Sequence, residues 1–259
     1  MSNNKFTILT SSYNCGVFLS DWASSILAQS YRPLEVIFVN DCSADMAKAD
    51  VTKDVIVPLE EKIRAAGIEI KVIHNVQRLY CGSSYNVALN NATGFYFGVL
   101  DADDMLEPNA VSNIVDLYNQ NPNIFWIYTQ FSVHNAKMKY IGKGFCVAPR
   151  NNDTLLSLGA KGIHAFSHWR TFSKRIDRID KLFKDGLRCA VDKYMGYRLE
   201  EFGPGMFVNR VFYRYRRRML YSISRSENTR QVWSDIMKKA QKRRLKYGKA
   251  VYSIRECNS

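Results

Sequence analysis

The sequence lacks the marks of a secreted or membrane-spanning protein. Its six cysteines are scattered with no C-x-x-C pair, and no cationic, apolar signal segment opens the chain. Both absences predict free thiols in a reducing cytoplasm. No apolar run approaches the roughly 20 residues that a bilayer-spanning helix needs. We therefore expect a cytoplasmic protein that is soluble or associates peripherally with a membrane.

The 259 residues also lack an internal repeat and a low-complexity linker, so we expect the two halves of the chain to pack as one body. The formal net charge is +13, and the excess of Lys and Arg is concentrated after residue 136. Such a field can attract nucleic acid, anionic lipid headgroups or an acidic glycan. No nucleic-acid-binding module is recognisable, so we predict no nucleic-acid partner and expect at most a peripheral contact with an anionic membrane.

The first hundred residues alternate strand-like and helix-like patterns. Apolar runs predict four buried strands, at residues 6–9, 34–39, 68–73 and 95–100. Helical spacing is found at residues 18–27 and 83–92, and a long helical region between the second and third strands is interrupted by Pro58. Strands separated by helix-sized segments imply right-handed crossovers. The fold class is therefore α/β, with helices flanking a mainly parallel central sheet.

The pattern changes after residue 123, where the predicted strands become shorter or alternate apolar and polar residues. These strands are expected at residues 125–128, 130–133, 139–141, 165–172 and 206–215. Residues 191–202 predict a helix, and residues 232–247 predict a basic amphipathic helix. Its apolar side consists of Trp233, Ile236, Met237 and Ala240. We expect this helix to be solvated on its basic side, which is compatible with weak membrane attachment.

Three carboxylates, Asp101, Asp103 and Asp104, follow the strand predicted at residues 95–100. Charges in this position sit at the carboxyl end of the strand, where ligands bind in open α/β sheets. The other strands also end in polar residues, so one edge of the sheet collects Tyr13, Asp41 and the acidic cluster. Close carboxylates repel each other unless a cation binds between them. A divalent metal that is also coordinated by substrate phosphates is the expected ligand. The alternative is an acidic turn that caps the helix beginning near Pro108.

Five segments resemble, in the correct order, the motifs of family 2 glycosyltransferases of the GT-A fold, a group that includes many bacterial polysaccharide and lipopolysaccharide transferases. They are TILTSSYNCGVFLSDWASSILAQSY, LEVIFVNDCSAD, CGSSYNVALNNATGFYFGVLDADD, VDKYMGYRL and FYRYRRRMLYSIS. The resemblance implies an inverting enzyme that moves a sugar from a UDP-sugar to a hydroxyl of a glycan or lipid-linked glycan. The donor sugar would be a hexose, an N-acetylhexosamine or, given the Arg surplus, a uronic acid.

The resemblance also implies a division of the chain. Residues 1–124 would form a nucleotide-sugar-binding half, and residues 125–225 a smaller, antiparallel half that binds the acceptor and carries the catalytic base. Residues 226–259 would form the basic C-terminal helix and tail. The absence of a membrane-spanning run argues against a processive polymerase that threads its product through its own pore.

Four residues of the first half are candidates for contact with the nucleotide-sugar: Thr10, Tyr13, Asp41 and Arg78. Tyr13 can stack its ring on a pyrimidine, or it can pack under the neighbouring loop. Asp41 can accept a hydrogen bond from the uracil imide N–H, or it can cap a helix together with Ser43. Arg78 can contact base or diphosphate, and a solvated Arg is equally expected there.

In the acidic cluster, the resemblance implies that Asp101 contacts the ribose or sugar hydroxyls and that Asp103 binds the metal. Asp104 would then support the metal site or contact the donor sugar. The implied cofactor is Mn²⁺ or Mg²⁺, which would neutralise the charge that develops on the departing diphosphate.

Asp192 stands where the family carries a Glu-Asp pair at the start of a helix, with Val191 in place of the usual Glu. Inversion needs a carboxylate that takes the acceptor's proton as the new bond forms, and we assign this role to Asp192. The alternative is an Asp that is favoured in the first helical turn by the helix dipole.

Arg218 stands where the family's Tyr-Arg-x-His loop has its His, and a guanidinium cannot ligate a metal. Arg218, or alternatively Arg216, could instead clamp the diphosphate. His164 and His168 are more readily explained as core or acceptor-site residues than as metal ligands. Trp169 could stack on an acceptor sugar, but a core position is the safer interpretation.

Two alternative functions remain open at this point. A degenerate transferase that only binds glycan or membrane would account for the missing Glu at Val191 and the missing His at Arg218. A sugar nucleotidyltransferase would share the sheet and the metal, but the chain lacks the Gly-rich phosphate-binding loop that we would expect early in such an enzyme.

Overall fold

The parallel half of the sheet comes from the first hundred residues. In the computed structural model, which describes residues 4–43, 52–150, 152–217, 228–247 and 251–257, four strands lie side by side in the order β4-β1-β2-β3. They are β1 (Phe6–Ser12), β2 (Leu34–Asn40), β3 (Glu69–His74) and β4 (Tyr96–Val99). All three pairings are parallel. The mainly parallel sheet predicted from the apolar runs is confirmed.

Four helices flank this part of the sheet: α1 (Leu19–Leu27), α2 (Thr52–Ala65), α3 (Tyr80–Asn90) and α4 (Ala110–Gln120). The predicted interruption at Pro58 is wrong, because Pro58 lies inside α2. A proline costs about 3 kcal/mol inside a helix. Ile56 and Ile63 are fully buried on either side of it, and each contributes about 1.5–3 kcal/mol. Packing against the core therefore outweighs the local penalty.

The second half extends the same sheet. Its strands are β6 (Trp126–His134), β7 (Tyr140–Lys143), β8 (Arg170–Ser173), β9 (Gly205–Arg216) and β10 (Ile254–Cys257), together with the short β5 (Met105–Leu106). The order along the sheet is β10-β9-β6-β8-β4-β1-β2-β3, with β5 on β9 and β7 on β6. β8 is antiparallel to both of its neighbours, which joins the two halves without a break. The functional division at residue 124 stays a prediction.

Three predicted strands differ from those observed. Residues 125–128 and 130–133 belong to one strand, β6, whose register against β9 shifts on both sides of Gln130. The strand predicted at residues 165–172 begins only at Arg170. Ala165 and Phe166 are buried without pairing in the sheet, and an apolar run does not distinguish these two situations. Trp169 has no exposed surface, so it is a core residue, which was the safer of the two interpretations from the sequence.

Three further helices cover the second half: α5 (Leu155–Ala160), α6 (Val191–Phe202) and α7 (Asn228–Tyr247). The bounds of α6 are those predicted. Within the parts of the chain that are described, none of the helices combines the length and apolar character that crossing a membrane requires.

The helix α7 is bound to α6 by charge as well as by its apolar side. Ile236 and Ala240 are buried, as predicted. In addition, Arg243 pairs with Glu201 and Arg244 pairs with Glu200, each at 2.8 Å, and both glutamates are almost fully buried. The basic side of α7 is therefore only partly solvated, because its last turns neutralise the acidic pair at the end of α6.

Candidate functional site

The carboxyl ends of β1, β2 and β4 meet at one edge of the sheet. The backbone N–H of Asp41 donates to the carbonyl of Ser12 over 2.8 Å, just beyond the ends of β2 and β1. On the other side of β1, the N–H of Leu100 donates to the carbonyl of Leu9 over 3.0 Å. The polar residues that follow these three strands consequently face the same edge, as expected from the sequence.

Asp41 connects this edge to the start of α3. Its carboxylate is buried and accepts hydrogen bonds from the Asn75 side chain and the backbone N–H of Leu79 on Oδ1, at 2.9 and 2.8 Å. Oδ2 accepts from the N–H of Tyr80 at 2.8 Å. A carboxylate at a helix N-terminus is stabilised by the unpaired N–H groups and by the dipole. Asp41 thus orients the loop between β3 and α3, and Oδ2 has capacity for a further donor.

The loop that Asp41 orients carries Arg78 to the ring of Tyr13. The guanidinium carbon lies 3.7 Å from the centroid of the Tyr13 ring and 4.9 Å from that of Tyr80. Arg78 is exposed and Tyr13 is partly exposed. Two residues predicted to contact the nucleotide are therefore in direct cation–π contact at the open edge.

Thr10 lies within β1, three residues before Tyr13. It is fully buried, and its Oγ1 accepts the indole N–H of Trp22 over 3.1 Å, so this side chain faces the core. Nearer the edge, Ser12 Oγ and Asn14 Oδ1 are buried and have no hydrogen-bond partner among the described residues. Buried polar groups normally have partners, so these two oxygens are available to a ligand.

Asp101 lies at the centre of the site and is joined to Arg170 on β8. Its Oδ2 accepts from Arg170 Nη2 over 3.0 Å, and its Oδ1 accepts a short hydrogen bond from the hydroxyl of Tyr85 on α3. Burial alone would raise the pKa of Asp101, but the positive charge of Arg170 and these hydrogen bonds lower it. Arg170 is itself buried, and its Nε has no partner among the described residues.

His168 completes this centre from the segment before β8. Its ring stacks on Tyr213 at 4.5 Å and on Tyr215 at 5.3 Å. Its Nδ1 lies 3.3 Å from Arg170 Nη2, which can only donate, so Nδ1 is the acceptor. Burial, reinforced by the charge of Arg170, lowers the pKa of His168 to about 3. The imidazole is therefore neutral at physiological pH.

Asp104 ties the acidic cluster to β9. Its Oδ1 accepts from the backbone N–H of Arg216 at 2.6 Å, and its Oδ2 accepts from the Tyr213 hydroxyl at 2.7 Å. Burial, together with the charges of Asp103 and Asp101, raises the pKa of Asp104 well above its ordinary value. The surroundings of Asp104 therefore disfavour its charged form.

Arg216 is buried beside the same cluster. Its Nε donates to the carbonyl of Asp103 at 2.7 Å, Nη1 donates to the carbonyl of Ala136, and Nη2 pairs with Asp21 at 2.6 Å. All three nitrogens thus serve protein acceptors, which connect β9, α1 and the acidic cluster. Arg218, the other residue predicted at the diphosphate, lies outside the described residues.

The acidic cluster fits a divalent cation in the number and kind of its donors. Among the described residues, candidate ligand atoms of Asp101, Asp104 and His168 lie within 4.8 Å of one another. Asp103 brings a further carboxylate, close enough to raise the pKa of Asp104. Carboxylate oxygens and an imidazole are suitable ligands for Mn²⁺, and carboxylates are suitable for Mg²⁺. Arg170 competes for Asp101, so a cation there would share this carboxylate with the guanidinium.

Asp192, in the first turn of α6, faces the same centre from the second half of the chain. Burial lowers the pKa of His168 and opposes the charged form of Arg170, and the negative charge of Asp192 acts against burial at both groups. At Arg170 the combined negative charges prevail, so that its pKa is raised. Lys193 Nζ lies 3.9 Å from the Asp192 carboxylate, and about a quarter of the Asp192 side chain is exposed. The carboxylate is therefore close enough to the acidic cluster to affect the pKa values of His168 and Arg170, and part of it is exposed to solvent.

A shallow cleft lies beside Asp192 in the second half of the chain. Its walls come from α5, α6, α7 and the segment before β8, and include Asp192, Lys193, Phe166, Ile163 and Trp233. His164 lies at this rim, where its ring stacks on Trp233 at 4.5 Å. Burial and the charge of Lys193 lower the pKa of His164. The two histidines predicted as core or acceptor-site residues thus lie in different places: His168 is buried beside Asp101 and Arg170, and His164 lies at the rim of the cleft.

Arg170, Tyr85 and Tyr213 were not identified from the sequence. The one local signal was Arg170 itself, a charge inside the apolar segment that ends at Phe172. A buried Arg normally needs a buried carboxylate, so this charge could have been paired in advance with the acidic cluster. The tyrosines carried no such signal, because a Tyr at helical or strand spacing is ordinary in a core.

Comparison with known proteins gives one family. The family model described as glycosyl transferase family 2 matches residues 7–200. Chondroitin synthase from Escherichia coli is 28% identical over 207 residues, which are 80% of this chain and 28% of that protein. Hyaluronan synthase from Pasteurella multocida is 27% identical over 207 residues, or 80% of this chain and 20% of that protein. The chain thus spans about a quarter of the length of these curated relatives.

Solved structures share the architecture. Residues 1–349 of S. aureus TarS in complex with UDP-GlcNAc match with a TM-score of 0.71 and 16% identity, over 93% of this chain and 66% of that chain. The mannosyltransferase PcManGT from Pyrobaculum calidifontis, in complex with GDP-Man and Mn²⁺, matches with a TM-score of 0.61 and 15% identity, over 95% of this chain and 65% of that chain. At this identity the likeness shows the fold.

Proposed function

Because the chain belongs to glycosyl transferase family 2 and has the GT-A fold, it is a glycosyltransferase, and we propose that it transfers a sugar from a UDP-sugar to an acceptor hydroxyl with inversion. The acceptor is a glycan or a lipid-linked glycan. Membership in this family leaves the non-catalytic and nucleotidyltransferase alternatives without support.

One observation carries the proposal. The carboxylate of Asp101, on the donor side, and that of Asp192, on the acceptor side, act on the same two buried groups, Arg170 and His168. Single displacement needs such an arrangement, because the leaving group and the attacking hydroxyl must lie on opposite faces of one reacting carbon.

The nucleotide belongs at the open edge of β1 and β2. Tyr13 and Arg78 offer a ring and a guanidinium for stacking on a base. Asp41 Oδ2 accepts from the imide N–H of uracil, since it receives only one donor from the described residues. Ser12 Oγ and Asn14 Oδ1 gain partners when a ligand binds. Thr10 supports this edge from the core, because it is fully buried and its hydroxyl accepts from Trp22.

The donor is a UDP-linked hexose, N-acetylhexosamine or uronic acid. Two relatives, a chondroitin synthase and a hyaluronan synthase, favour amino sugars and uronic acids as donor sugars. TarS binds UDP-GlcNAc in its solved complex, whereas PcManGT binds GDP-Man, so a guanine nucleotide has to be included in any test.

Asp192 is the base in this mechanism. Its carboxylate takes the proton of the acceptor hydroxyl while that oxygen bonds to the anomeric carbon. The bond from the anomeric carbon to the diphosphate oxygen breaks in the same step, and its electron pair leaves with the diphosphate. Lys193 Nζ, at 3.9 Å, places a positive charge beside the Asp192 carboxylate.

The acidic cluster holds the donor and its cation. Asp101 would contact the ribose or sugar hydroxyls and Asp103 would hold the metal, while Asp104 positions the cluster on β9. A bound Mn²⁺ or Mg²⁺ would supply positive charge to the departing diphosphate. Arg216 orients the carbonyl of Asp103, and Arg218 is the candidate for a direct diphosphate contact.

The test is a panel of UDP-glucose, UDP-galactose, UDP-GlcNAc, UDP-GalNAc, UDP-glucuronic acid and GDP-mannose, each incubated with Mn²⁺, with Mg²⁺ and with EDTA. The readout is the released nucleoside diphosphate. We expect slow hydrolysis of one UDP-sugar that is lost in EDTA and in Asp103→Ala. Asp180→Asn is the matched control, because this carboxylate is exposed and remote from the cluster.

Release of GDP from GDP-mannose alone would contradict the uracil-reading role of Asp41. Hydrolysis that is unchanged by EDTA and by Asp103→Ala would contradict the metal role. Failure to bind UDP in calorimetry, with Mn²⁺ present, would overturn the assignment of the nucleotide site.

A further inference from the structure

The helix α7 brings an aromatic side chain to the acceptor side of the site, outside the residues that define the family. The family model ends at residue 200, whereas Trp233 lies in the second turn of α7. Trp233 nevertheless lines the cleft that contains Asp192. A segment beyond the family match therefore borders the proposed catalytic base.

The position of Trp233 is held from three directions. Its ring stacks on His164 at 4.5 Å, its indole N–H donates to the hydroxyl of Tyr197 over 3.2 Å, and Lys193 Nζ lies 5.6 Å from its ring. Further along α7, Arg243 and Arg244 pair with the buried Glu201 and Glu200. The indole is thus built into the cleft, and it remains partly exposed there.

The surroundings of Trp233 combine aromatic rings with polar groups. Phe145 is 54% exposed and lies 6.1 Å from the ring of His164, which continues the aromatic surface away from Asp192. The cleft itself holds the Asp192 carboxylate and the Lys193 ammonium. A pyranose ring needs both features, because one face presents C–H groups that pack on an aromatic ring and its rim presents hydroxyls.

We propose that Trp233, with His164, forms the platform on which the terminal pyranose ring of the acceptor glycan lies while Asp192 takes its proton. This inference rests on the proposed function, because Asp192 must be the base for the cleft to be the acceptor subsite. It adds a residue that determines acceptor affinity, and it gives α7 a role in acceptor recognition.

Tryptophan fluorescence provides a direct test. The chain has four tryptophans, and three of them, Trp22, Trp126 and Trp169, have no exposed surface. Quenching by acrylamide therefore reports on Trp233. The probes are methyl β-glucopyranoside, methyl β-glucuronide and methyl N-acetyl-β-galactosaminide, each titrated in the presence of UDP and Mn²⁺. We expect at least one glycoside to protect Trp233 from acrylamide.

Variants separate stacking from folding. Trp233→Phe keeps a ring and should weaken binding of the protecting glycoside less than Trp233→Ala, which should weaken it about fivefold or more. Binding is followed by saturation-transfer difference NMR, since these variants lose the fluorescent reporter. Lys238→Ala, an exposed position on the same helix, is the control and should bind the glycoside as the wild type does. Calorimetric UDP binding and a cooperative unfolding transition show that each variant is folded.

The outcomes distinguish the inference from the proposed function. If the wild type hydrolyses a UDP-sugar but no glycoside protects Trp233, and Trp233→Ala binds glycosides as the wild type does, the inference is overturned while the function stands. If no nucleotide-sugar is bound or cleaved, the proposed function fails by its own test. Protection of Trp233 with graded loss in the Phe and Ala variants supports the platform.

Discussion

Asp41 and Asp101 follow β2 and β4, the two strands that flank β1, yet they are held by different kinds of partner. In the edge region, at the ends of β1 and β2, Asp41 accepts from an amide side chain and two backbone N–H groups. In the central region, between β4, β8 and β9, Asp101 depends on the guanidinium of Arg170 and the hydroxyl of Tyr85.

The two regions therefore respond differently to change. Backbone donors stay in place when a single side chain is replaced, so the edge region is robust. The central region consists of charged and ionisable side chains at low exposure, where removal of one partner leaves another uncompensated. Its carboxylates are suited to a cationic ligand, and its stability depends on each of the side chains that pair there. The following variants test this contrast, from the largest expected effect to the smallest.

Replacement of the base should have the largest effect. Asp192→Asn removes the proton acceptor, so transfer to an acceptor should fall about 10²–10⁴-fold. UDP binding in calorimetry should persist, because the edge region proposed for the nucleotide does not include α6. Transfer within a few-fold of the wild type would show that another group takes the proton.

Loss of Arg170 should be the most destabilising change in the central region. Arg170→Met leaves Asp101 and Tyr85 without the cation, and we expect a loss of about 3 kcal/mol in the free energy of unfolding, measured in urea. Lys5→Met is the matched comparison, since Lys5 pairs with the 61% exposed Glu69 and should cost at most about 1 kcal/mol. Equal losses for the two variants would contradict the contrast.

Release of α7 should have an intermediate effect. Arg244→Met leaves the buried Glu200 with only backbone donors, and we expect a loss of about 2 kcal/mol. Acrylamide quenching of Trp233 should increase, because the helix that carries it is less firmly bound to α6. A destabilised variant with unchanged quenching would mean that Trp233 is held by its local contacts alone.

The smallest effect is expected in the parallel half, at Glu35 on β2. Burial would raise the pKa of this carboxyl, but hydrogen bonds from Thr7 and Thr93 lower it overall. A lowered folded-state pKa stabilises the fold above the unfolded value near 4.3, and this stabilisation disappears as the pH falls through the folded-state pKa. Glu35→Gln should therefore cost about 1 kcal/mol at pH 7 and progressively less in acid. A cost that is independent of pH would contradict the hydrogen-bonded, ionised state.

The sequence allowed much of the scaffold to be predicted, because its signals are local. The four parallel strands and the bounds of α6 follow from apolar runs and helical spacing within short windows. The errors have a common origin in burial. Pro58 is tolerated inside α2 because its neighbours pack in the core. Ala165 and Phe166 are apolar because they are buried, although they do not pair as a strand.

The sequence predicted those site residues that directly follow a strand. It did not predict those that are distant in sequence from the carboxylates they contact. Tyr13, Asp41 and the acidic cluster could be placed at one edge because parallel strands end together. Arg170 lies 69 positions from Asp101 in the sequence, and Tyr213 lies 109 positions from Asp104. No local pattern specifies which distant side chain will meet a given carboxylate.

By itself, the sequence determined the kind and order of the elements, the edge at which the polar residues collect, and the family to which they belong. The tertiary structure decided the state of each group at that edge. It lowers the pKa of Asp101 and raises that of Asp104, it places Arg170 among potential metal ligands, and it brings Trp233 to the cleft of Asp192. The physical reason is that periodicity acts over a few residues, whereas burial and Coulomb interactions depend on distance in space.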